Sequence, residues 1–334
     1  MDMEKPRIII GVLFCIIIIG LACFGAASQR DESKGLSAYA GFSKIDPAKN
    51  HFILVGDTQR TNPFAFCRER NDKERKAILN EIARRDPAFV VHLGDLTTRG
   101  ASTKEWQEFD NLNKSSREKR IPLFPILGNH EFYGNDKKAL QNYFGRFPHL
   151  EQRRWYSFTW KNVGLIMVDS NFSTLTREQD EMQRAWYLME LKRFEADQGI
   201  DHIIVCCHES PFTNSRVVGP NNKVKTFFAD PFGQLRKTSF FFSGHVHSYE
   251  RFQVDGKFFV VSGGGGGPRH KVNVDPAKRP YNDLFFGPEL RFFHFCEIEL
   301  FDRALVLKVS RLEPDGTFST VDQVSARRIL SKRD

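Results

Sequence analysis

The sequence has little cysteine and little tryptophan, with 6 Cys and 4 Trp in 334 residues. So few cysteines, without regular spacing, exclude a disulfide-stapled fold, which belongs to short chains dense in cysteine. Phe is abundant at 32 residues, and 40% of the chain is hydrophobic while 27% is charged. This composition is that of a globular protein, which excludes disordered, collagen-like and coiled-coil chains and predicts a core packed largely with Phe.

The chain also lacks a dense basic block, although its net charge is +8. A diffuse positive charge suits an anionic substrate or surface, and it equally suits an ordinary soluble surface. No stretch interleaves basic and aromatic residues as a single-stranded nucleic-acid platform would. Nucleic acid is therefore a disfavoured partner, and nothing in the sequence indicates an oligomeric state.

A run without charge, Ile8–Ala27, is the one candidate membrane segment. Its 20 residues would form a helix of about 30 Å, which is enough to cross a bilayer. Lys5 and Arg7 precede the run, so the N-terminus is expected in the cytoplasm and the rest outside. A cleaved signal peptide is the alternative, because residues 25–27 are small, and a lipid-modified Cys23 is a third possibility. Each alternative predicts a membrane-anchored or exported protein whose main domain is extracytoplasmic.

Residues 28–50 are small and polar, which predicts a linker, and strands and helices alternate after it. Continuous apolar runs predict six buried strands, some of them parallel. Two prolines in the third run indicate an edge or irregular position for that strand. The six runs are His51–Asp57, Ala88–Asp95, Ile121–Asn129, Val163–Ser170, Asp201–His208 and Ser239–His247.

The second half of the chain adds a long helix and a β-rich tail. Met182, Ala185, Trp186 and Met189 recur at helical spacing, which predicts an amphipathic helix. An Asp-Gly turn within Arg251–Ser262 predicts a hairpin. Two further apolar runs, 292–300 and 304–311, predict an antiparallel pair. We interpret residues 51–325 as one α/β domain of packed mixed sheets with helices outside.

Side chains of the types that bind metals follow five of the predicted strands. In open α/β sheets, ligands bind at the carboxyl ends of strands. Each of these short blocks is weak evidence alone, but five in succession at strand ends predict one shared site. The five blocks are Gly56–Gln59, Gly94–Asp95, Gly128–Glu131, Val205–His208 and Gly244–His247.

The order of these blocks resembles the calcineurin-like metallophosphoesterase superfamily across about residues 51–270. The matching blocks are a first Asp, GD, GNH followed by an acid, an isolated His and GHxH. The last block, Gly244–Arg251 (GHVHSYER), is most similar to the purple acid phosphatase branch. The resemblance implies a sandwich of two mixed β-sheets flanked by helices. Thr98 stands where that branch has the tyrosine that binds ferric iron, so a purple centre is not expected.

The resemblance also implies a ligand set for two divalent metal ions. One ion would be held by Asp57, Gln59, Asp95 and His247, and the other by Asp95, Asn129, His208 and His245, with Asp95 bridging. Gln59 departs from the common ligand types, so it either supplies an amide oxygen or leaves its position to water. Imidazole, carboxylate and amide ligands without thiolate favour Mn or Fe, and Zn is possible.

Three further residues are candidates for contact with substrate. His130 follows the ligand Asn, and the resemblance makes it the proton donor to the leaving oxygen or a stabiliser of transition-state charge. Arg99 lies in GDLTTRG, which is similar to the block in which Ser/Thr protein phosphatases contact phosphate, although a solvated surface Arg is the alternative. His270 follows the run Gly263–Gly267, which we interpret as a flexible pocket loop.

These residues predict a hydrolase of phosphate esters, acting on a small molecule or a macromolecule. By resemblance, a hydroxide that bridges the two ions attacks phosphorus in line, since paired metals stabilise both oxygens of such a displacement. The GHVHSYER block favours a phosphomonoesterase. A phosphodiesterase acting on nucleotide, nucleic acid or lipid is the alternative, and a non-catalytic metal-binding scaffold is the alternative from another class.

Overall fold

The structure is a computed structural model and describes residues 38–62 and 67–327. The uncharged run Ile8–Ala27 lies outside these residues, so its anchoring, cleavage or lipid modification stays a prediction. Of the helices within the described ranges, none is long and apolar enough to cross a bilayer.

The described residues form two six-stranded sheets, whose strands are numbered in chain order. The first sheet has the order β12-β11-β10-β1-β2-β3. Its strands β1 to β3 are parallel, whereas β10, β11 and β12 are antiparallel to their neighbours. The bounds are His51–Val55 (β1), Val90–His92 (β2), Leu123–Pro125 (β3), His294–Phe301 (β10), Ala304–Leu312 (β11) and Phe318–Arg327 (β12).

The second sheet has the order β4-β5-β6-β7-β9-β8. Its strands β5, β6, β7 and β9 run parallel, and β4 and β8 are antiparallel edges. The predicted sandwich of two mixed β-sheets is therefore confirmed. The bounds are Tyr156–Trp160 (β4), Val163–Met167 (β5), His202–Cys207 (β6), Thr238–Ser243 (β7), Tyr249–Val254 (β8) and Lys257–Ser262 (β9).

Helices flank the sheets, and the longest one corrects a detail of the sequence prediction. Its buried side consists of Gln183, Tyr187, Leu191 and Phe194, whereas Met182 and Met189 are each 62% exposed. The helix exists as predicted, but Met182, Ala185 and Met189 of the predicted stripe are exposed, and Trp186 is the member that packs against the core. The helices are Asp72–Arg85 (α1), Thr103–Leu112 (α2), Lys114–Glu118 (α3), Asp136–Arg146 (α4), Arg177–Ala196 (α5), Asn222–Val224 (α6) and Asp230–Gly233 (α7).

Phe rings fill the space between the two sheets. Phe52 of β1 stacks on Phe89 with ring centroids 4.6 Å apart, and Trp160 of β4 meets Phe52 edge-on at 5.4 Å. Offset and edge-on pairs of this kind add attraction beyond the burial of apolar area. This packing holds the two sheets face to face and so fixes where their strand ends meet.

Residues 38–50, part of the predicted linker, pack on the first sheet. The backbone N–H of Tyr39 donates to Arg146 at 2.9 Å, and Ala40 accepts a hydrogen bond from Leu123 at 3.1 Å. Phe42 stacks on Phe124 with centroids 4.8 Å apart. The compact part of the chain therefore begins before residue 51, and these contacts cover the edge strand β3.

Candidate metal centre

The carboxyl ends of five strands from both sheets meet at one side of the sandwich. Each strand is followed within a few residues by a predicted ligand, and the packing of the sheets brings these loops into contact. The first sheet contributes Asp57 after β1, Asp95 after β2 and Asn129 after β3, and the second contributes His208 after β6 and His245 and His247 after β7.

Two overlapping groups of side chains have the arrangement of a metal site. The ligand atoms of Asp57, Asp95 and His247 all lie within 4.8 Å of one another, and so do those of Asp95, His208 and His245. The shortest distances between a histidine nitrogen and a carboxylate oxygen are 3.4 Å from His247 Nε2 to Asp57 Oδ1 and 3.4 Å from His208 Nε2 to Asp95 Oδ1. Asp95 belongs to both groups, as a bridging ligand must.

Three of these residues have a left-handed backbone, with φ of 60° at Asp57, 56° at Asp95 and 64° at His245. This region is unfavourable for residues with a side chain and persists where surrounding contacts enforce it, often at functional sites. Here the N–H of His245 donates to both oxygens of Asp57 at 3.0 Å, and the N–H of Asp57 donates to Gly94 at 3.0 Å. The strained turns thus hold each other in place.

Glycine before a ligand residue allows the loops to approach this closely. A Cβ on Gly128 would lie 2.2 Å from Asp95 Oδ1, and one on Gly244 would lie 2.6 Å from Asp57 Oδ2. Both distances are below van der Waals contact, so any larger residue would displace a carboxylate. This explains why the GNH and GH blocks begin with glycine.

Backbone carbonyls fix which ring nitrogen of two histidines carries the proton. His208 Nδ1 lies 2.8 Å from the carbonyl of Leu93, and His247 Nδ1 lies 2.8 Å from that of Pro268. A carbonyl only accepts hydrogen bonds, so Nδ1 is the donor in both rings. In each ring Nε2 is then the nitrogen that can bind a cation, the arrangement usual for histidine ligands.

The residues fit a pair of divalent cations. His245 Nδ1 faces His208 Nε2 at 3.2 Å, and two ring nitrogens so placed require a proton or a cation between them. The amide nitrogen of Gln59 lies 3.1 Å from both Asp95 Oδ2 and His247 Nε2, while its buried Oε1 has no hydrogen-bond partner among the described residues. Turning the amide over would direct its oxygen into the ligand group.

At Asp95 and His208 the charges of the site oppose the effect of burial on the pKa, whereas at His245 the charge of His208 adds to it. Burial lowers the pKa of His208, but the carboxylates of Asp95 and Asp57 outweigh it and raise that pKa. Burial raises the pKa of Asp95, whereas His208 and His130 hold it well below its usual range. Burial, together with His208, lowers the pKa of His245 to about 3. Carboxylates held ionised beside histidines favour exchange of a proton for a metal ion.

Glu131 orders two of the ligand loops, a role that the sequence analysis did not assign. Its buried carboxylate accepts the N–H groups of Asp95 and Gly128, each at 2.8 Å, and that of Leu96 at 2.9 Å. These bonds connect the loop after β2 to the loop after β3. In the sequence, Glu131 can be recognised as the acid that directly follows the GNH block, Gly128–His130.

His130 lies beside the two groups but in neither of them. Its Nδ1 lies 2.8 Å from the carbonyl of Thr98, and its N–H donates to Asp95 Oδ1 at 3.0 Å. Because the carbonyl requires a proton on Nδ1, the atom left for proton exchange is Nε2, which is 3.9 Å from Asp95 Oδ2. The side chain is 23% exposed and reaches solvent.

A cavity of about 650 Å³ opens next to this centre. Gln59, His130 and His247 line it, together with Tyr133 and the predicted Arg99. Arg99 is exposed there, so it is accessible to a substrate.

His270 lies behind His247 and does not line the cavity. Its ring stacks on His247 with centroids 4.3 Å apart, and it is only 5% exposed. The run Gly263–Gly267 is buried and donates hydrogen bonds to Gly56 and Asp57, at 2.9 and 2.7 Å. The run is therefore packed backbone and not the flexible pocket loop predicted from the sequence. His270 stacks against His247 and helps to hold that ring in place.

Part of the chain is similar in sequence to known proteins. The model of the calcineurin-like phosphoesterase family matches residues 51–249. An uncharacterized protein of Mycobacterium tuberculosis is 30% identical over 192 residues, which cover 51% of this chain and 36% of that protein. Purple acid phosphatase 21 of Arabidopsis thaliana is 26% identical over 206 residues, covering 56% of this chain and 46% of that protein. The chain thus spans less than half the length of these relatives.

A solved structure shows the same fold. Purple acid phosphatase PPD1 from yellow lupin, Lupinus luteus, superimposes with a TM-score of 0.58 at 17% identity. The match covers 83% of this chain and 53% of the lupin protein. At this identity the likeness concerns the architecture alone.

Proposed function

Because the chain belongs to the calcineurin-like phosphoesterase family, whose model matches residues 51–249, we propose that it hydrolyses phosphate esters at a centre of two divalent metal ions. The observation that carries this proposal is Asp95, which is shared by two ligand groups beside an open cavity. A carboxylate that belongs to both groups would hold two ions side by side, and paired ions stabilise the attacking and leaving oxygens of an in-line displacement.

The ligand roles follow the two groups. Asp57, Asp95 and His247, with Gln59 beside them, would hold one ion, whereas Asp95, His208, His245 and Asn129 would hold the other. Bound divalent ions supply positive charge for a phosphoryl group and lower the pKa of coordinated water towards about 7. The donor types favour Mn or Fe, with Zn possible. Thr98 occupies the position of the tyrosine that colours the purple branch, so we expect a colourless protein.

His130 would serve the leaving group. Its Nδ1 is committed to the carbonyl of Thr98, and its Nε2 lies 3.9 Å from Asp95 Oδ2. Nε2 is therefore the atom that would deliver a proton to the oxygen that departs from phosphorus. The metal ligands do not compete for this atom, because His130 belongs to neither ligand group.

We propose phosphate monoesters as the substrates. A monoester carries two negative charges near neutral pH and a diester one. Of the described residues that line the cavity, Arg60, Arg68 and Arg99 are basic, and Glu105 alone carries a carboxylate. Similarity of Gly244–Arg251 to the purple acid phosphatase branch supports the same choice. Hydrolysis of phosphodiesters is the competing proposal.

The test compares p-nitrophenyl phosphate with bis(p-nitrophenyl) phosphate, after loading the chelator-treated protein with Mn, Fe or Zn. We expect two metal ions per chain, no mid-visible absorption, and a kcat/KM for the monoester at least about tenfold above that for the diester. Asp95→Asn, prepared identically, controls for contaminating phosphatases.

The other outcomes are equally informative. Preference for the diester would overturn the monoesterase assignment while leaving the hydrolase intact. Two bound ions without turnover of either ester would favour the non-catalytic scaffold. A purple preparation would show that another residue replaces the missing tyrosine.

A further inference from the structure

We propose that Arg60 and Arg68 form a subsite for a second anionic group of the substrate. The preferred substrate would then be a phosphate monoester that carries another phosphate or carboxylate group. This inference rests on the proposed function, since it names the class of ester that the same cavity accepts.

The first support is the charge of the cavity wall. Arg60, Arg68 and Arg99 line the cavity, and among the described residues that line it only Glu105 carries a carboxylate. The carboxylate of Glu105 accepts the backbone N–H of Arg99 at 2.8 Å and holds that loop. Within residues 38–62 and 67–327, neither Arg68 nor Arg99 forms an ion pair, so both guanidinium groups are available to a ligand.

The second support is that the arginines lie on different sides of the ligand groups. Arg99 packs beside Gly134, where an added Cβ would lie 3.2 Å from its Nε, on the side of Tyr133 and His130. Arg68 precedes Glu69, whose carboxylate forms an ion pair with Arg269. The neighbouring Pro268 lines the cavity and accepts a hydrogen bond from His247 Nδ1 at 2.8 Å. Arg68 therefore lies on the His247 side, and a phosphoryl group bound near His130 and Arg99 leaves Arg68 unused.

The third support concerns Arg60, whose charge is only partly neutralised. Its Nη1 lies 3.6 Å from Glu108, but Glu108 also accepts a hydrogen bond from Arg75 at 3.0 Å. The Nε of Arg60 is buried and has no hydrogen-bond partner among the described residues. Thr98 donates to its carbonyl at 2.8 Å, which keeps the backbone of Arg60 at the cavity.

The charge and the placement of these arginines together favour a ligand with two anionic groups. The cavity of about 650 Å³ exceeds what one phosphoryl group fills. Guanidinium groups bind phosphate and carboxylate through paired, charge-assisted hydrogen bonds, so one or two arginines suffice for recognition. A second anion on the His247 side would occupy the part of the wall that a simple monoester leaves empty.

The experiment compares matched alkyl phosphates in the metal-loaded full chain. Fructose 1,6-bisphosphate is paired with fructose 6-phosphate, and 3-phosphoglycerate with glycerol 3-phosphate. We expect kcat/KM to favour the member with two anionic groups in at least one pair by about tenfold, the effect of one charge-assisted hydrogen bond. The preferred pair identifies the second group as phosphate or carboxylate, and preference in neither pair overturns the proposal.

Single substitutions show which arginine produces the preference for a second anionic group. Arg68→Met and Arg60→Met retain much of the apolar stem and remove the charge, and each should lower the preference about tenfold, mainly through KM. Arg236→Met is the matched control, because Arg236 is 74% exposed and lies just before β7, at the end opposite the centre. An equal change of preference in Arg236→Met would show a general charge effect and overturn the subsite.

Binding separates this proposal from the proposed function. If no ester is turned over, the hydrolase assignment fails, but calorimetric titration with fructose 1,6-bisphosphate still tests the subsite. Weaker binding by Arg68→Met than by Arg236→Met would support the subsite. Equal binding by both variants would overturn it.

Discussion

The side-chain amide of Asn129 donates a hydrogen bond to the phenol oxygen of Tyr133 over 3.0 Å. This bond turns the amide oxygen of Asn129 towards His208, whose Nε2 lies 3.1 Å away. The Tyr133 ring also lies 4.4 Å from the ring of His130, between centroids. One tyrosine, 48% exposed, thus orients both a proposed ligand and the proposed proton donor. Its own hydroxyl proton remains available to the cavity.

Tyr133→Phe should lower kcat/KM for phosphate monoesters about three- to tenfold. The ring and its contact with His130 remain, but Asn129 loses the bond that selects its orientation, and a typical hydrogen bond contributes about 1 kcal/mol. Steady-state kinetics with metal analysis of the same preparation measures the effect.

Tyr156→Phe is the matched control for Tyr133→Phe. Tyr156 is buried, and its hydroxyl donates to Pro125 at 2.8 Å, outside the cavity. This variant should lower the melting temperature and leave the activity of the folded protein unchanged. If both variants lose activity equally, the loss follows from stability, and the role of the Tyr133 hydroxyl is refuted.

Asp95→Asn should remove at least one of two metal ions and most activity. Asp95 belongs to both ligand groups, so the substitution withdraws a negative charge from each at once. Metal analysis after gel filtration, together with kcat, measures the outcome.

Asp169→Asn serves as the matched control for Asp95→Asn. Asp169 is also buried after a strand of the second sheet, but it binds Arg154 and Asn171 and belongs to neither ligand group. This variant should be less stable and keep both ions. Two ions and full activity in Asp95→Asn would show that Asp95 is not the bridge.

Glu250 should make stability decrease with rising pH. Burial raises the pKa of its carboxyl to about 7, although it accepts hydrogen bonds from Thr213 and Asn214. Between about pH 4.5 and 7 the folded state therefore binds a proton that the unfolded state has released. The free energy of unfolding falls across this window, by on the order of 3 kcal/mol for such a shift.

Glu250→Gln should remove this part of the pH dependence. The amide oxygen can accept from Asn214 and the amide nitrogen can donate to Thr213, as the protonated acid does. Urea unfolding at pH 5 and pH 8 should show similar stability at pH 5 and a more stable variant at pH 8. Parallel pH profiles of the two proteins would contradict the assignment.

The sequence predicted the residues of the centre better than the architecture around them. Ligands follow strands whose apolar runs are unambiguous, so Asp57, Asp95 and His208 could be placed without a structure. The strands β4 and β12 were not predicted, because Phe318–Arg327 is half exposed and polar. Edge strands of this kind gain stability from their neighbours and carry little pattern of their own.

The orientation of helix α5 shows where a prediction of the buried side from local periodicity fails. Met182 and Met189 form an apolar stripe, yet the buried side includes Gln183, whose side chain donates to the carbonyl of Asp169 at 2.9 Å and accepts its N–H at 2.7 Å. A buried amide with both groups satisfied costs little. Tertiary hydrogen bonds thus decided which side packs, and no pattern within the helix reports them.

His130→Ala should slow the hydrolysis of alkyl phosphates far more than that of p-nitrophenyl phosphate. An alkoxide leaves poorly without a proton, whereas p-nitrophenolate leaves readily, and general acid catalysis typically contributes about 10²–10⁴-fold. The structure directs Nε2 of His130 to this task, since its Nδ1 is held by the carbonyl of Thr98. The measurement is kcat/KM for both classes of ester.

Metal content separates the possible explanations for a loss in His130→Ala. His130 belongs to neither ligand group, so the variant should keep both ions. His51→Ala is a suitable control, because His51 begins β1, at the end opposite the centre. Equal losses on both esters with both ions retained would indicate stabilisation of transition-state charge instead of proton donation. Loss of an ion would instead make His130 a ligand, which would require the two ligand groups to be assigned again.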